Sequence, residues 1–282
     1  MRLSLDQVSK RYGGQVALDR ISINLDGGIV ALLGANGSGK TTLLRLLATL
    51  DLPDTGRIDW GEQNYLEILP DLRRHIGYLP QVLELPPHLT PYRLLCYLAQ
   101  LRNANLTAVD DLITGLKLES IAHKRIAQLS SGQIRQVGVA QAFLGQPKLL
   151  LLDELSSGLD VIERERVNRL LPNDGRLTVF STHIPDEAER IATSVVVLHQ
   201  GRVLFAGTIA ELKARVGECF ETTLPTADAQ LLLHEAGVSR MIHQNGSVTL
   251  RCSGGRKASD TTRLINPSLE DAYLFLLLHA AG

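Results

Sequence analysis

Apolar residues follow three different rhythms along this chain. At Leu3–Val8 and again at Ile21–Leu25 they alternate with polar residues, the two-residue period of strands buried on one face only. At Ile29–Leu33, Leu149–Leu152, Leu177–Phe180 and Val195–Leu198 they form short unbroken runs, as strands covered on both faces do. The segments between those runs are long enough to hold helices. The runs therefore predict an α/β core with a mostly parallel sheet, and the two alternating segments predict an N-terminal antiparallel β layer beside it. Between about Leu85 and Gly145 the spacing becomes helical, as in Leu94, Leu95, Leu98 and Leu101, and predicts a helical insertion.

Thr208–Arg215 reads as a capped helix, and from about Gly217 short strands and turns take over. We expect a first domain over 1–215 and a small α+β C-terminal domain over 216–282. In the latter, Asn245-Gly246 between Met241–His243 and Val248–Arg251 is a hairpin signal. Ser268, followed by Glu270 and Asp271, opens a last helix that continues to Leu278.

Charge and cysteine usage narrow the function classes. Lys and Arg total 29 against 30 Asp and Glu, so no general field attracts nucleic acid, and no nucleic-acid partner is expected. Cys96, Cys219 and Cys252 form no Cys-x-x-Cys pair, which leaves them as reduced thiols. The greasiest run, Tyr273–Leu278, is far shorter than the roughly 20 apolar residues of a spanning helix, and the first residues alternate like a strand rather than an export signal. Any membrane role is expected to come through a partner.

Gly34-Ala-Asn36-Gly37-Ser38-Gly39-Lys40-Thr41 matches the phosphate-binding loop Gly-x4-Gly-Lys-Ser/Thr, placed between the strand Ile29–Leu33 and a helical run from Thr42 to Leu50. In such a loop backbone N–H groups close on the β-phosphate of ATP, Lys40 reaches the β- and γ-phosphates, and the Thr41 hydroxyl ligates Mg²⁺. Asp153-Glu154 ends a buried strand where open α/β sheets bind ligands. Asp153 is the candidate to hold Mg²⁺, and Glu154 the candidate to polarise the attacking water. Ser130-Ser131-Gly132-Gln133 is a capping box at a second helix N-terminus, which suits a γ-phosphate but has no lysine for a whole nucleotide.

Leu129-Ser-Ser-Gly-Gln133, about twenty residues before an apolar strand and Asp-Glu, resembles the signature of ABC ATPases, and with it a P-loop NTPase core. The resemblance covers about residues 1–215. It implies that Tyr12 stacks on adenine, that Gln81 in Tyr-Leu-Pro-Gln is a lid glutamine and Mg²⁺ ligand, and that Ser157-Gly-Leu-Asp160 is a dimer-contacting loop. His183 in Ser-Thr-His is implied as the switch histidine. It also implies that ATP sits between Lys40 and Thr42 of one subunit and Ser130–Gly132 of the other. Ser131 replaces the family's usual Gly, Leu155 a Pro and Ser156 a Thr, and 166–176 looks short, but no reacting group is lost.

The tail beginning Pro267-Ser-Leu-Glu-Asp271 is similar to that of ATPases in the multidrug and polysaccharide exporter branch. The resemblance therefore implies an ATPase of an ABC exporter, paired as a homodimer or with a second ATPase subunit. A polytopic permease would hold it at the cytoplasmic face, gripping an apolar groove over Leu85–Leu101. The alternative is a soluble ABC-type switch in translation or DNA repair. Those types carry two ATPase units or a long coiled coil, and this chain has one set of motifs and no sustained heptads.

Overall fold

The computed structural model describes residues 2–172, 174–225, 237–244, 247–253 and 262–280. The chain opens with β1 (Arg2–Tyr12), β2 (Gln15–Asp26) and β3 (Gly28–Leu33), then α1 (Lys40–Leu47), β4 (Thr55–Trp60), β5 (Gln63–Asn64), α2 (Leu69–Arg74) and β6 (Ile76–Leu79). The insertion follows as α3 (Pro91–Leu101), α4 (Thr107–Leu116) and α5 (Ser131–Phe143). Next come β7 (Leu149–Leu152), α6 (Val161–Leu170), β8 (Leu177–Thr182), α7 (Pro185–Ile191), β9 (Ser194–His199), β10 (Arg202–Thr208) and α8 (Ile209–Ala214). The remainder is β11 (Cys219–Pro225), β12 (Gly237–Gln244), β13 (Ser247–Ser253), β14 (Arg263–Ile265) and α9 (Leu269–Ala280).

The six-stranded sheet runs β10-β9-β3-β8-β7-β6, parallel except for β10. Its apolar runs are unbroken because alternate residues enter two different cores. Val30, Leu32, Leu149, Leu151, Leu177 and Val179 pack with α1 and the antiparallel layer. Ala31, Leu33, Leu150, Leu152 and Phe180 pack with the helical insertion instead. The layer is the sheet β2-β1-β4-β5, where Leu3 pairs Leu25 and Leu5 pairs Ile23.

Polar caps fix where the functional helices start. Thr90 accepts from Arg93 N ahead of α3, whose first residue is Pro91, and Ser130 with Gln133 forms the expected box on α5. Asp160 with Glu163 and Thr208 with Glu211 do the same on α6 and α8.

In the last segment β12-β13-β11-β14 form an antiparallel sheet, and β12 and β13 pair as the hairpin reading requires. The turn itself, Asn245-Gly246, lies outside the described residues. Ser268 and Asp271 cap α9 reciprocally. Leu269, Ala272 and Tyr273 of α9 and Cys219 of β11 enter the same core as the helical insertion. Buried Asp271 accepts from Arg251 Nε at 2.8 and 3.0 Å and from Ser239, tying this sheet to α9.

Candidate functional site

Register brings the site together. Leu33 is level with Thr182, and Leu79 with Leu152, so β3, β6, β7 and β8 end at one edge of the sheet. The chain leaves that edge into the Gly34–Gly39 loop, toward Gln81, into Asp153-Glu154 and into His183. This is the carboxyl edge where parallel sheets bind ligands.

The loop between β3 and α1 needs its glycines. Gly39 has φ 105°, and a Cβ there would lie 2.7 Å from the Ala17 carbonyl; at Gly34 it would lie 2.3 Å from the Leu198 carbonyl. Helix α1 starts directly after Gly39 with no side-chain cap, so its first N–H groups remain available to an anion. Lys40 is buried and donates Nζ to the carbonyls of Gly34 at 2.7 Å and Ala35 at 2.9 Å. Burial lowers its pKa, opposed by the charges of Glu154 and Asp153.

A cavity of about 410 Å³ opens above this loop. Asn36, Gly37, Gly39, Lys40, Thr41 and Thr42 form its floor, with Tyr12, Gln81 and Glu154 around it. Gln15, Val16 and Ala17 of β2 also line it. Nothing in their sequence but nearness to Tyr12 marked them. Tyr12 is half exposed and donates its hydroxyl to Asp51 at 2.6 Å, while Arg45 Nε donates to the same Asp51 oxygen at 2.7 Å. Burial and then the Asp51 hydrogen bond raise the phenol's pKa.

Asp153 is 0% exposed. Its Oδ1 accepts from Ser181 Oγ at 2.6 Å, and its Oδ2 has no partner among the described residues. The same Ser181 oxygen accepts from Glu154 N at 2.8 Å. Glu154 has φ 51°, an uncommon left-handed conformation for a residue with a Cβ. The buried Ser38 hydroxyl is likewise without a partner. Two orphaned buried oxygens at one edge are costly unless a ligand meets them. Thr41, Gln81 and Asp153 offer only hard oxygen donors, the set Mg²⁺ takes together with phosphate oxygens and water. Among the described residues no three His, Cys, Asp or Glu side chains cluster to hold a metal by themselves.

His183 is exposed just beyond β8. The Thr182 hydroxyl before it donates to buried Glu187 at 2.6 Å and accepts from Ile184 N at 3.0 Å, so hydrogen bonds flank the histidine. Ser130, Ser131, Gly132 and Gln133 do not line the cavity. Ser130 and Ser131 are exposed, and a Cβ on Gly132 would lie 3.1 Å from the Gly158 carbonyl, which puts this helix end against the Ser157–Asp160 loop. Asp160 itself caps α6, accepting from Glu163 N at 2.7 Å. Leu155 is buried in the core, so that departure from the family pattern is one of packing.

Only part of the stretch Leu85–Leu101, where an apolar groove is expected, faces outward. Leu94, Leu95 and Ala99 turn into the core and leave Tyr97 and Leu101 outside. A concavity of about 350 Å³, lined by Arg45, Arg73, Tyr78, Leu83, Glu84 and Arg102, among others, is largely polar and takes in none of residues 85–101. Exposed Val82 stands in the same loop as Leu83 and Glu84.

Residues 18–157 match the family described as ABC transporter. A probable sulfate/thiosulfate import ATP-binding protein of Chlorella vulgaris is 35% identical over 79% of this chain and 98% of its own length. The chain spans 61–66% of longer sulfate/thiosulfate import relatives. A bacitracin transport ATP-binding protein of Bacillus licheniformis is 30% identical over 86% of this chain and 82% of its own. Among solved structures, an ATP-binding subunit of an ABC transporter aligns with TM-score 0.71 and 28% identity over 77% of this chain and 94% of its own. A dimeric ATP-binding cassette in a post-hydrolysis state with ADP and phosphate aligns with TM-score 0.65 and 26% identity over 73% and 98%. No described helix is long and apolar enough to cross a membrane. A phosphate loop, an acidic strand end and a signature helix on one sheet edge, matched in sequence and in fold, place this chain in the ABC transporter family as an ATP-binding, ATP-hydrolysing subunit.

Proposed function

We propose that the chain works as one half of an ATP-clamped pair that drives a separate membrane permease from the cytoplasmic face. One observation carries the reading. Lys40, Gln81 and Glu154 line one cavity, while Ser130–Gly132, the second anion-binding helix end of the chain, lies outside it. A single subunit thus holds a whole nucleotide-binding surface and one spare γ-phosphate contact, and pairing two subunits completes two sites.

Within a site, Tyr12 stacks on adenine beside Val16. Gly34, Asn36, Gly37, Ser38 and Gly39, with Thr42, surround the phosphates with N–H and hydroxyl donors, and Lys40 exchanges its two carbonyl partners for phosphate oxygens. Thr41, Gln81 and Asp153 hold Mg²⁺, which when bound neutralises charge on the phosphate oxygens. Glu154 orients and deprotonates the attacking water, and His183 donates to the γ-phosphate. Ser130, Ser131, Gly132 and Gln133 of the other subunit close over that phosphate, with Asp160 setting the loop beside them. The concavity around Leu83, Glu84 and Arg102 receives a short helix of the permease. Its position next to Gln81 makes ATP-driven closure felt in the membrane.

The export reading rests on the C-terminal segment. The bacitracin transport relative aligns over 86% of the chain, enough to reach past residue 215, although the import relatives match at higher identity. ATP-dependent uptake of substrate into inside-out vesicles would carry this reading, and uptake into right-side-out vesicles would reverse it.

Glu154→Gln tests the core of the proposal. The variant is expected to bind ATP as the unmodified chain does, to lose at least about 100-fold in hydrolysis rate, and to accumulate as a dimer with ATP and Mg²⁺ on size exclusion. Undiminished hydrolysis would remove Glu154 from its role.

A further inference from the structure

Helix α5 carries Ser130–Gln133 at its first turn, and just behind them it buries a cation beneath the hydrolytic edge. Arg135 is 6% exposed. Its Nη2 donates to the carbonyls of Asp153 at 2.5 Å and Glu154 at 2.7 Å. Its Nη1 donates to the carbonyls of Pro80 and, at 3.3 Å, Gln81. A buried guanidinium is ordinarily met by a carboxylate. Here four main-chain oxygens from two loops take that place, with the Asp153 and Glu154 charges close enough to favour the charged form against burial.

Those two loops carry the lid glutamine and the general base. Glu154 also holds a left-handed backbone, which is strained for a residue with a Cβ and persists only where its surroundings over-determine it. Ser181 fixes its N–H, and Arg135 fixes its carbonyl. The next residue, Gln136, donates to Glu163 at 2.5 Å, and the other Glu163 oxygen accepts from Asp160 N at 2.9 Å. One helix therefore touches the lid loop, the base and the dimer loop, and presents Ser130 outward.

We propose that Arg135 is a positioning residue of the ATPase site: its guanidinium fastens the backbones of Gln81 and Glu154 to the helix whose N-terminus receives the partner subunit's nucleotide. The inference rests on the two-subunit reading above. When that N-terminus closes on a γ-phosphate, a shift of α5 is passed through one rigid fork to both loops of the chain's own site. Only a planar, two-pronged donor can span them. An ammonium group is a point charge and reaches one loop at a time.

The test uses the full chain with Arg135→Met, Arg135→Lys and, beside them, Glu154→Gln. Misplacing a base by about 1 Å costs on the order of 100-fold. We expect Arg135→Met to lose about 10- to 100-fold in kcat, with KM and calorimetric ATP affinity within about twofold and the ATP-induced dimer retained. Arg135→Lys should recover part of the rate and not all of it. An unchanged kcat in either variant, or a loss of ATP affinity as large as the loss of kcat, overturns the proposal. If Arg135→Met does not fold, Arg135→Lys decides on the same criteria. If Glu154→Gln hydrolyses ATP at the normal rate, the reading of the site falls and this inference with it. If Glu154→Gln is inactive while Arg135→Met is fully active, the inference alone falls.

Discussion

The chain presents two helix N-termini suited to anions, and they are built differently. At α1 the loop ahead of the helix wraps a buried lysine, its glycines take backbones a Cβ would obstruct, and a cavity is walled by β1, β2 and the loops after β6 and β7. At α5 the first turn is satisfied by the chain itself, Ser130 accepting from Gln133 N and Gln133 from Ser130 N. Ser130 and Ser131 are exposed, and the Ser157–Asp160 loop lies beside Gly132. The first end is a receptor complete within one subunit, and the second is capped until something arrives. A helix dipole alone is worth about 0.3–1 kcal/mol toward an exposed anion. On the proposed reading, affinity comes from α1, and α5 acts on a phosphate already held by another chain.

The largest expected effect breaks the first half of that comparison. Lys40→Ala removes a charged donor that would pair with phosphate in a buried setting, a change of about 2–5 kcal/mol, hence at least about 30-fold in ATP affinity. Titration calorimetry at concentrations where the chain is monomeric checks it. Normal affinity would mean that the lysine serves only the Gly34 and Ala35 carbonyls it meets in the structure.

The second half is sharpened by Ser130→Ala. Loss of an N-cap should lower unfolding free energy by about 1 kcal/mol, measured by urea denaturation. It should leave monomer ATP affinity within about twofold of normal, while weakening ATP-induced dimerisation of a Glu154→Gln background. A parallel loss of monomer affinity would place Ser130 in the chain's own site and erase the distinction between the two helix ends.

How much of this could be read in advance follows from where polar residues are buried. The strands β3, β7 and β9 coincide with their apolar runs to within a residue, because burial on both faces leaves no polar interruption to misread. β8 does not end at Phe180 as its run does. It continues through Ser181 and Thr182, which are buried because their hydroxyls serve Asp153 and Glu187. The phosphate loop and Asp153-Glu154 were legible because their chemistry dictates residue type and spacing. Arg135 was not, since an arginine within a helix ordinarily faces water, and its partners are carbonyls that no side-chain pattern encodes. In α3 the apolar spacing marks chiefly a buried face, and Tyr97 and Leu101 are the apolar positions it leaves exposed.

The smallest effect belongs to the hydroxyl of Tyr12, whose ring lines the α1 cavity. Stacking on a base is worth about 1–3 kcal/mol, so Tyr12→Ala should bind ATP about 5- to 150-fold more weakly. Tyr12→Phe keeps the ring but loses the hydroxyl's hydrogen bond to Asp51. That bond lies on an exposed edge, and its removal should cost about 0.5–1.5 kcal/mol of ring placement at most, a severalfold loss that the sequence alone gives no reason to expect. Acid should leave the difference between the two side chains intact over the ordinary working range. The Arg45 hydrogen bond is the leading cause that holds the Asp51 carboxylate below its usual pKa, with the Tyr12 hydroxyl acting in the same direction. A depressed carboxylate pKa contributes stability above the unfolded value and loses it as pH falls through the folded one. The Tyr12–Asp51 tether should therefore hold from pH 8 down to the normal carboxylate range and fail only below it. Affinities of the unmodified chain and Tyr12→Phe, compared at intervals down that range, should keep a constant ratio. A ratio that collapsed near neutrality would show that Asp51 does not hold the ring, and would return Tyr12 to the role of a loop aromatic.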